Sequence, residues 1–231
     1  MEIMNKVLLS TILTLGLATS SIASMDDDPL RATVMVDNLE YQTNDEKSLM
    51  WDSYAYVGYD IHKLYLYSEG EKGKDQSSAD SENQLVYSRA ISPFWDLQFG
   101  VDYDKSGGAD QTWGVIGVQG LAPYFFETRA VILLGKRGSM GVRADLEYEA
   151  LITQKLILTP SIAFSAYSKD NEEMEIGSGF SNIQAGMRLR YEIRREFAPY
   201  IGVEWNKNLG KTDDISPLNE TYATFGLRVW F

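Results

Sequence analysis

The feature that most constrains this fold is a two-residue alternation of apolar and polar side chains. In FWDLQFGVDYD (94–104), every second residue from Trp95 to Tyr103 is apolar, and aspartate, glutamine or glycine stands between them. A period of two is that of a β-strand, whose successive side chains point to opposite faces. Such a strand fits a soluble sheet with its apolar face on a protein core. It equally fits an outer-membrane barrel with its apolar face on lipid.

The length of the alternating runs favours the membrane barrel. Comparable runs recur at VRADLEYEALI (142–152) and NIQAGMRLRYEI (182–193). They reach the roughly 9–11 residues that a tilted strand needs to cross a bilayer, whereas strands of soluble proteins are typically about 5–6 residues long. About 12 such runs can be placed along the chain, an even number as in bacterial barrels. The first four runs and TWGVIGVQG (112–120) have the least defined registers.

The connections between these runs alternate in length. Tight turns such as DIH (60–62) and RRE (194–196) alternate with longer polar loops such as KDNEEMEIGSG (169–179) and GKTDDISPLNE (210–220). Short periplasmic turns and longer extracellular loops are typical of outer-membrane barrels. We therefore predict an all-β fold, a closed antiparallel transmembrane β-barrel of about 12 strands, with a secreted soluble β-protein as the alternative. The sequence leaves open whether either long loop folds inward as a plug.

The first residues predict export. Lys6 precedes the uncharged run VLLSTILTLGLA (7–18), and TSSIAS (19–24) supplies small residues for cleavage after Ala23. We therefore assign 1–23 to a signal peptide and 24–231 to the barrel, with 24–31 as a short acidic periplasmic segment. The expected location is the bacterial cell outer membrane.

Composition excludes several functions. The formal net charge of -12 argues against nucleic acid, which binds clustered Lys and Arg, and is compatible with cation traffic. The chain has no Cys, which excludes a disulfide framework, thiolate metal sites and a Cys nucleophile. It also has one His, in a presumed periplasmic turn, and no G-x-S-x-G motif. We therefore do not expect an enzyme.

On the barrel interpretation, charged residues of both signs face the lumen. The lumen of such a barrel is narrow, so a structural explanation is that these charges pair across it. The functional alternative is a cation path with an acidic bias. The predicted lumen residues are Asp96, Asp102, Glu127, Arg129, Arg143, Asp145, Glu147, Glu149, Arg188, Arg190, Glu192, Glu204 and Arg228.

Several stretches resemble the copper resistance protein B (CopB/PcoB) family of bacterial outer-membrane barrels. The most specific are QGLAPYFFE (119–127) and RYEIRREFAPYIGV (190–203), and MDDDPL (25–30) and GLRVWF (226–231) also match. The resemblance covers nearly the whole mature chain. It implies copper ion binding and a part in copper resistance or homeostasis, without catalysis. The implied partners are copper ions, a periplasmic multicopper oxidase and copper chaperones.

The chain departs from this family at its start. Many members carry a Met- and His-rich stretch before DDPL, whereas here Met25 follows the predicted cleavage site almost immediately. Thioethers suit Cu(I) and imidazole suits Cu(II), so the candidate metal ligands are Met25, Met35 and His62, with the copper oxidation state open. No His pair or Met cluster has ligand spacing, and a solvated turn explains His62 equally well.

The expected function is therefore binding or conduction of copper ions across the outer membrane by a monomeric barrel. The alternative is a narrow outer-membrane channel, or a structural barrel, without metal specificity.

Overall fold

A computed structural model describes residues 28–231 of the chain. These residues form one antiparallel sheet that closes on itself, because the last strand pairs with the first. The two-residue strand β9 continues β8 after Glu149 and pairs with the same neighbour, so the wall is that of a 12-stranded barrel, as predicted. The strands are β1 Arg31–Gln42, β2 Leu49–Gly58, β3 His62–Lys72, β4 Asp80–Ser92, β5 Trp95–Ser106, β6 Ala109–Ala122, β7 Phe126–Leu134, β8 Met140–Tyr148, β9 Ala150–Leu151, β10 Leu156–Tyr167, β11 Gly179–Tyr191, β12 Phe197–Asn208 and β13 Asn219–Trp230.

The predicted signal peptide (1–23), Met25 and most of the acidic segment 24–31 lie outside the described residues and remain predictions.

The helical segments of the described part are short. They are 3-10 turns at Pro123–Phe125, Lys136–Gly138 and Glu172–Met174, and the six-residue helix α1 at Gly210–Ile215. Within residues 28–231, no helix is both long enough and apolar enough to cross a membrane.

The burial of β5 shows which medium each face meets. Phe99, Val101 and Tyr103 are 43 %, 53 % and 45 % exposed, whereas Asp102 and Asp104 on the opposite face are 0 % and 3 % exposed. A soluble protein buries its apolar side chains and exposes its carboxylates. This barrel does the reverse, as expected when the outer face lies in lipid and the inner face encloses polar groups.

Strand β1 contains an irregularity that decides which of its residues face inward. Its register shifts between Val36 and Leu39 against β13 and between Val36 and Asn38 against β2. A bulge places one extra residue in the strand, so the alternation changes phase there. As a result, Met35 lies opposite the inward-facing Tyr54, and the buried Glu40 also faces the lumen.

Candidate functional site

The interior of the barrel holds two adjoining cavities. The larger, here called the lumen cavity, has a volume of about 690 Å³. The smaller, here called the cap cavity, has a volume of about 300 Å³ and lies under the loops that follow β10 and β12. Met50, Glu69, Glu82, Arg143 and Glu204 line both cavities, so the two cavities share a boundary.

An apolar cluster occupies part of the interior and reduces the open width of the lumen. It is formed by side chains of β3, β4, β6, β7 and β10, namely Tyr65, Val86, Trp113, Val115, Val131, Leu133 and Tyr167. The sequence indicated an interior of charged groups and gave no sign of this cluster. TWGVIGVQG is apolar on both faces because its inner face belongs to the cluster and its outer face meets lipid.

Arg143 of β8 gathers carboxylates from the opposite wall. Its guanidinium lies 2.7 Å from Glu82, 3.0 Å from Asp102 and 2.6 Å from Asp104. It also donates to the hydroxyl of Tyr167 from Nε at 3.0 Å and from Nη2 at 2.8 Å. One cation therefore compensates three carboxylates whose desolvation would otherwise be costly.

Arg188 of β11 forms a second network. It contacts Glu40 of β1 at 3.1 Å and Glu204 of β12 at 2.9 Å. The hydroxyl of Tyr200 donates to Glu40 at 2.9 Å. Gly226, directly opposite Tyr200, makes room for this ring, because a Cβ on Gly226 would lie 2.4 Å from it.

A third network joins Arg190 and Arg228 through Glu149, at 2.6 Å and 2.8 Å. Arg228 also contacts Asp37 at 2.9 Å, and Arg190 lies 3.8 Å from Glu192. These pairs connect β1, the β8–β9 junction, β11 and β13. They hold this part of the wall at a fixed separation.

Two further predicted lumen residues, Asp96 of β5 and Arg129 of β7, lie outside these three networks. Arg129 lies 4.0 Å above the ring of Tyr67, a cation–π contact, and donates to Gln84 and to Gln98. Asp96 accepts a hydrogen bond from Ser88 at 3.0 Å and lies 3.5 Å from Lys63.

A row of carboxylates crosses four neighbouring strands. Asp52 of β2 lies directly opposite Glu69 of β3, Glu69 lies opposite Glu82 of β4, and Glu82 lies opposite Asp104 of β5. Like charges directly opposite one another destabilise a sheet. Sequence reasoning placed Asp104 on the inner face of its strand but missed the rest of this row and Glu40, because the bulge in β1 and the undefined registers of the first four runs hid which residues point inward.

Within residues 28–231, several carboxylates of the lumen cavity form no ion pair of 4 Å or less, although Arg129 lies directly opposite one of them, Asp145, in the sheet. Within residues 28–231, their side chains make no hydrogen bond or ion pair, and they stand on two walls of the cavity: β2 and β3 on one side, β7 and β8 on the other. Glu127 and Glu147 are directly opposed like charges on adjacent strands. The members of this group, here called the unpaired carboxylates, are Asp52, Glu69, Glu127, Asp145 and Glu147.

The predicted metal ligands do not come together. Met35 faces the lumen, whereas His62 is exposed on the outer face, where its Nδ1 lies 2.5 Å from the hydroxyl of the equally exposed Tyr87. Met25 lies outside the described residues. In the described part of the chain, no group of three or more His, Asp or Glu side chains has the geometry to hold a metal ion.

Two loops fold over the extracellular end and form what we call the cap, residues 168–178 and 209–218. The amide of Gly177 donates to the hydroxyl of Thr212 at 2.9 Å, and Ser216 donates to Glu175 at 3.0 Å. Met174 is buried at 4 % exposure, and Ile176 packs on the inner apolar cluster. Both long loops therefore fold inward over the extracellular end of the lumen. The sequence alone did not decide this question.

The cap should loosen in acid because of Asp170. This carboxylate accepts from the amide of Ser178 at 2.6 Å and from Lys211 at 3.0 Å, and these bonds hold its pKa well below the usual range, at about 2. A lowered pKa stabilises the folded cap above the unfolded pKa of about 3.9, and this contribution is lost as the pH falls towards the folded value. Pepsin should cut residues 168–178 faster relative to an unfolded reference substrate at pH 2 than at pH 4.

Asp170→Asn serves as the control, because residue 170 then carries no titrating group, and its relative cleavage should change less between pH 4 and pH 2 than that of the wild type. Equal relative cleavage of the wild-type cap at pH 2 and pH 4 would contradict the assignment.

Two solved structures with a similar fold are porins. The NanC porin superimposes with a TM-score of 0.55 over 86 % of this chain and 99 % of that one, at 11 % identity. The KdgM porin gives a TM-score of 0.50 over the same shares of the two chains, at 12 % identity. At this identity the likeness establishes the fold alone, which is a porin-like β-barrel.

Sequence comparisons identify the family. The family model for "Copper resistance protein B precursor (CopB)" matches residues 30–231. The copper resistance protein B of Escherichia coli is 38 % identical over 214 residues, which cover 90 % of this chain and 72 % of that protein. The homolog from Pseudomonas syringae pv. tomato is 36 % identical over 211 residues, covering 89 % and 71 %. The chain therefore belongs to the copper resistance protein B family of the outer membrane.

Proposed function

We propose that this barrel conducts copper ions across the outer membrane through its lumen. Membership of the family supports a role in copper resistance, and the porin-like barrel fits a non-enzymatic one. The observation that carries the proposal is the charge of the lumen cavity. Eight carboxylates and five arginines line it, and the five unpaired carboxylates are available to a passing cation.

The paired and unpaired groups have different parts in this mechanism. The arginines compensate carboxylates that are buried, and so fix the width of the lumen. The unpaired carboxylates stand on both sides of the path, at Asp52 and Glu69 on one wall and at Glu127, Asp145 and Glu147 on the other. A low-dielectric wall concentrates their field, which raises the local cation concentration. Carboxylate oxygens that do not form a closed ligand set release the ion again, as conduction requires.

The direct test is copper entry into liposomes that contain the purified barrel and an enclosed copper-sensitive dye. We expect copper to enter these liposomes at least about tenfold faster than protein-free liposomes, because a bare bilayer imposes the full desolvation cost of the ion and an acidic lumen raises the local cation concentration by about 10–10³. Neutral sugars, followed by osmotic swelling, should enter slowly because the arginine networks and the apolar cluster narrow the lumen. Copper entry no faster than in protein-free liposomes would refute the proposal.

The alternative is a narrow channel without metal specificity. It is favoured by the lack of a three-ligand His, Asp or Glu group with metal-binding geometry in residues 28–231. The same liposomes separate the two functions. A general channel passes calcium, potassium and small sugars as readily as copper, whereas a copper conduit discriminates among them.

We further propose that the barrel acts as a monomer and exchanges copper at its periplasmic end with a multicopper oxidase or a copper chaperone. One chain closes the wall by itself, which supports the monomer. Chemical crosslinking from the periplasmic turns in intact cells tests both statements, since it should capture a periplasmic copper protein and no second copy of the barrel.

A further inference from the structure

Two methionines, Met50 and Met174, line the cap cavity and lie outside the apolar cluster. Met50 of β2 lies between Glu40 of β1 and Glu71 of β3 in the sheet register. Because Glu40 is buried and faces the lumen, Met50 faces the lumen as well. It lines both cavities and so stands where they join. A thioether among carboxylates at this point gains little from apolar packing.

Met174 approaches the same cavity from the cap. It ends the 3-10 turn Glu172–Met174 and is buried at 4 % exposure, yet it is not part of the apolar cluster against which Ile176 packs. Its loop is fixed at both sides. Asn171 and Ile176 exchange backbone hydrogen bonds of 2.7 Å and 3.0 Å, and the side chain of Asn171 donates to Gln111 at 2.8 Å.

The cap cavity that receives both thioethers is strongly acidic. Seven carboxylates and two basic side chains line its volume of about 300 Å³. Carboxylates attract any cation, but a thioether sulfur is a soft ligand that prefers Cu(I) to hard ions. Methionine side chains are unbranched and adaptable, so sulfurs from the wall and from the cap can adjust to one ion.

We propose that Met50 and Met174 form a transit site for monovalent copper in the cap cavity, at the extracellular entrance to the lumen. This inference rests on the proposed copper passage and deepens it, because it assigns the oxidation state of the ion and its first ligands. Two thioethers without a thiolate or imidazole hold the ion loosely, which suits an entrance that must also release it. The carboxylates attract the cation, and the thioether sulfurs select Cu(I) over hard ions.

The first experiment observes the sulfurs directly. The folded barrel in detergent, labelled with ¹³C in its methionine methyl groups, is titrated with Ag(I), a monovalent soft ion, in chloride-free buffer. Signals that disappear in Met50→Leu and in Met174→Leu identify the two methyls. We expect these two signals to shift, and those of the exposed, outward-facing Met140 and Met187 to stay in place. Unmoved Met50 and Met174 signals at saturating Ag(I) would overturn the inference.

The second experiment measures affinity. Each of Met50→Leu and Met174→Leu should weaken Ag(I) and Cu(I) binding at least about tenfold, since even the indirect partners of a metal contribute ten- to a hundredfold. Leucine conserves the volume and apolar character of methionine, so folding should persist, as heat-modifiable migration will show. Met140→Leu and Met187→Leu are the matched controls and should bind as the wild type does. Unchanged affinity in the double variant Met50→Leu/Met174→Leu would overturn the site.

Copper entry into liposomes distinguishes failure of the proposed copper conduction from failure of the methionine site alone. If the wild type admits no copper, the proposed function fails, whatever the methionine signals show. If the wild type admits copper supplied as Cu(I) and the double variant does so at the same rate, only the methionine site fails. A wild type that admits Cu(I) and a double variant that admits it at least about tenfold more slowly would support both.

Discussion

Replacing Arg143 with methionine should destabilise the folded barrel by about 3–5 kcal/mol, as expected when one partner of a buried ion pair is removed. The guanidinium lies 2.7, 3.0 and 2.6 Å from Glu82, Asp102 and Asp104. The side chains of Asp102 and Asp104 are 0 % and 5 % exposed, so water cannot replace the lost cation. Urea unfolding in detergent micelles, followed by loss of heat-modifiable migration, measures the change.

Two further variants test the reason for this loss. Arg31→Met removes the exposed ion pair with Asp60, whose side chains are 59 % and 54 % exposed, and should cost at most about 1 kcal/mol. Combining Arg143→Met with Asp102→Asn and Asp104→Asn should recover most of the stability, because a whole buried ion network can often be replaced at little cost. A similar loss in Arg31→Met and Arg143→Met would refute the assigned role.

The strands could be predicted from the sequence because lipid imposes a strict pattern on the outer face. The alternation at 94–104 corresponds to β5 at Trp95–Ser106, and that at 182–193 corresponds to β11 at Gly179–Tyr191. Every outward residue of such a strand must be apolar or interfacial, whatever the neighbouring strands are. Each strand therefore carries enough information to be recognised by itself.

The interior follows no such rule, which is why its apolar cluster and part of its charge were missed. Trp113 and Val115 face inward on a strand whose outer face is also apolar, so the period of two disappears from that sequence. The bulge between Val36 and Leu39 changes the phase of β1 and conceals Glu40. No residue pattern within a single strand signals either feature.

Ion-pair partners are harder still to predict from the sequence, since they depend on the circumference of the barrel. Arg188 and Glu40 are 148 residues apart in sequence, and Arg143 reaches from β8 to β4 and β5 across the lumen. Which charges meet follows from the number of strands and their stagger, not from any local motif. No local motif reveals the position of Met174 either, because this residue approaches the lumen only when its loop folds inward.

Neutralising three unpaired carboxylates together should slow copper entry into liposomes at least about tenfold, because they supply the field that concentrates the cation. The variant is Asp52→Asn/Glu69→Gln/Asp145→Asn. None of these side chains forms an ion pair within residues 28–231, and Arg129 opposite Asp145 keeps its contacts with Gln98 and Tyr67. The directly opposed Asp52 and Glu69 no longer repel each other. Folding stability in urea should therefore be unchanged or higher. Reversal potentials in a potassium chloride gradient should show reduced cation preference.

A matched triple variant removes the same charge from the exterior. Asp75→Asn/Asp110→Asn/Glu196→Gln changes three exposed acidic residues outside the lumen cavity and should leave copper entry close to that of the wild type. High salt should narrow the difference between wild type and lumen variant, since the field of partly solvated charges is screened within about 8 Å at physiological ionic strength. If both triple variants slow copper entry equally, net charge and not the lumen determines the flux. If neither slows it, the unpaired carboxylates are not the path of the ion.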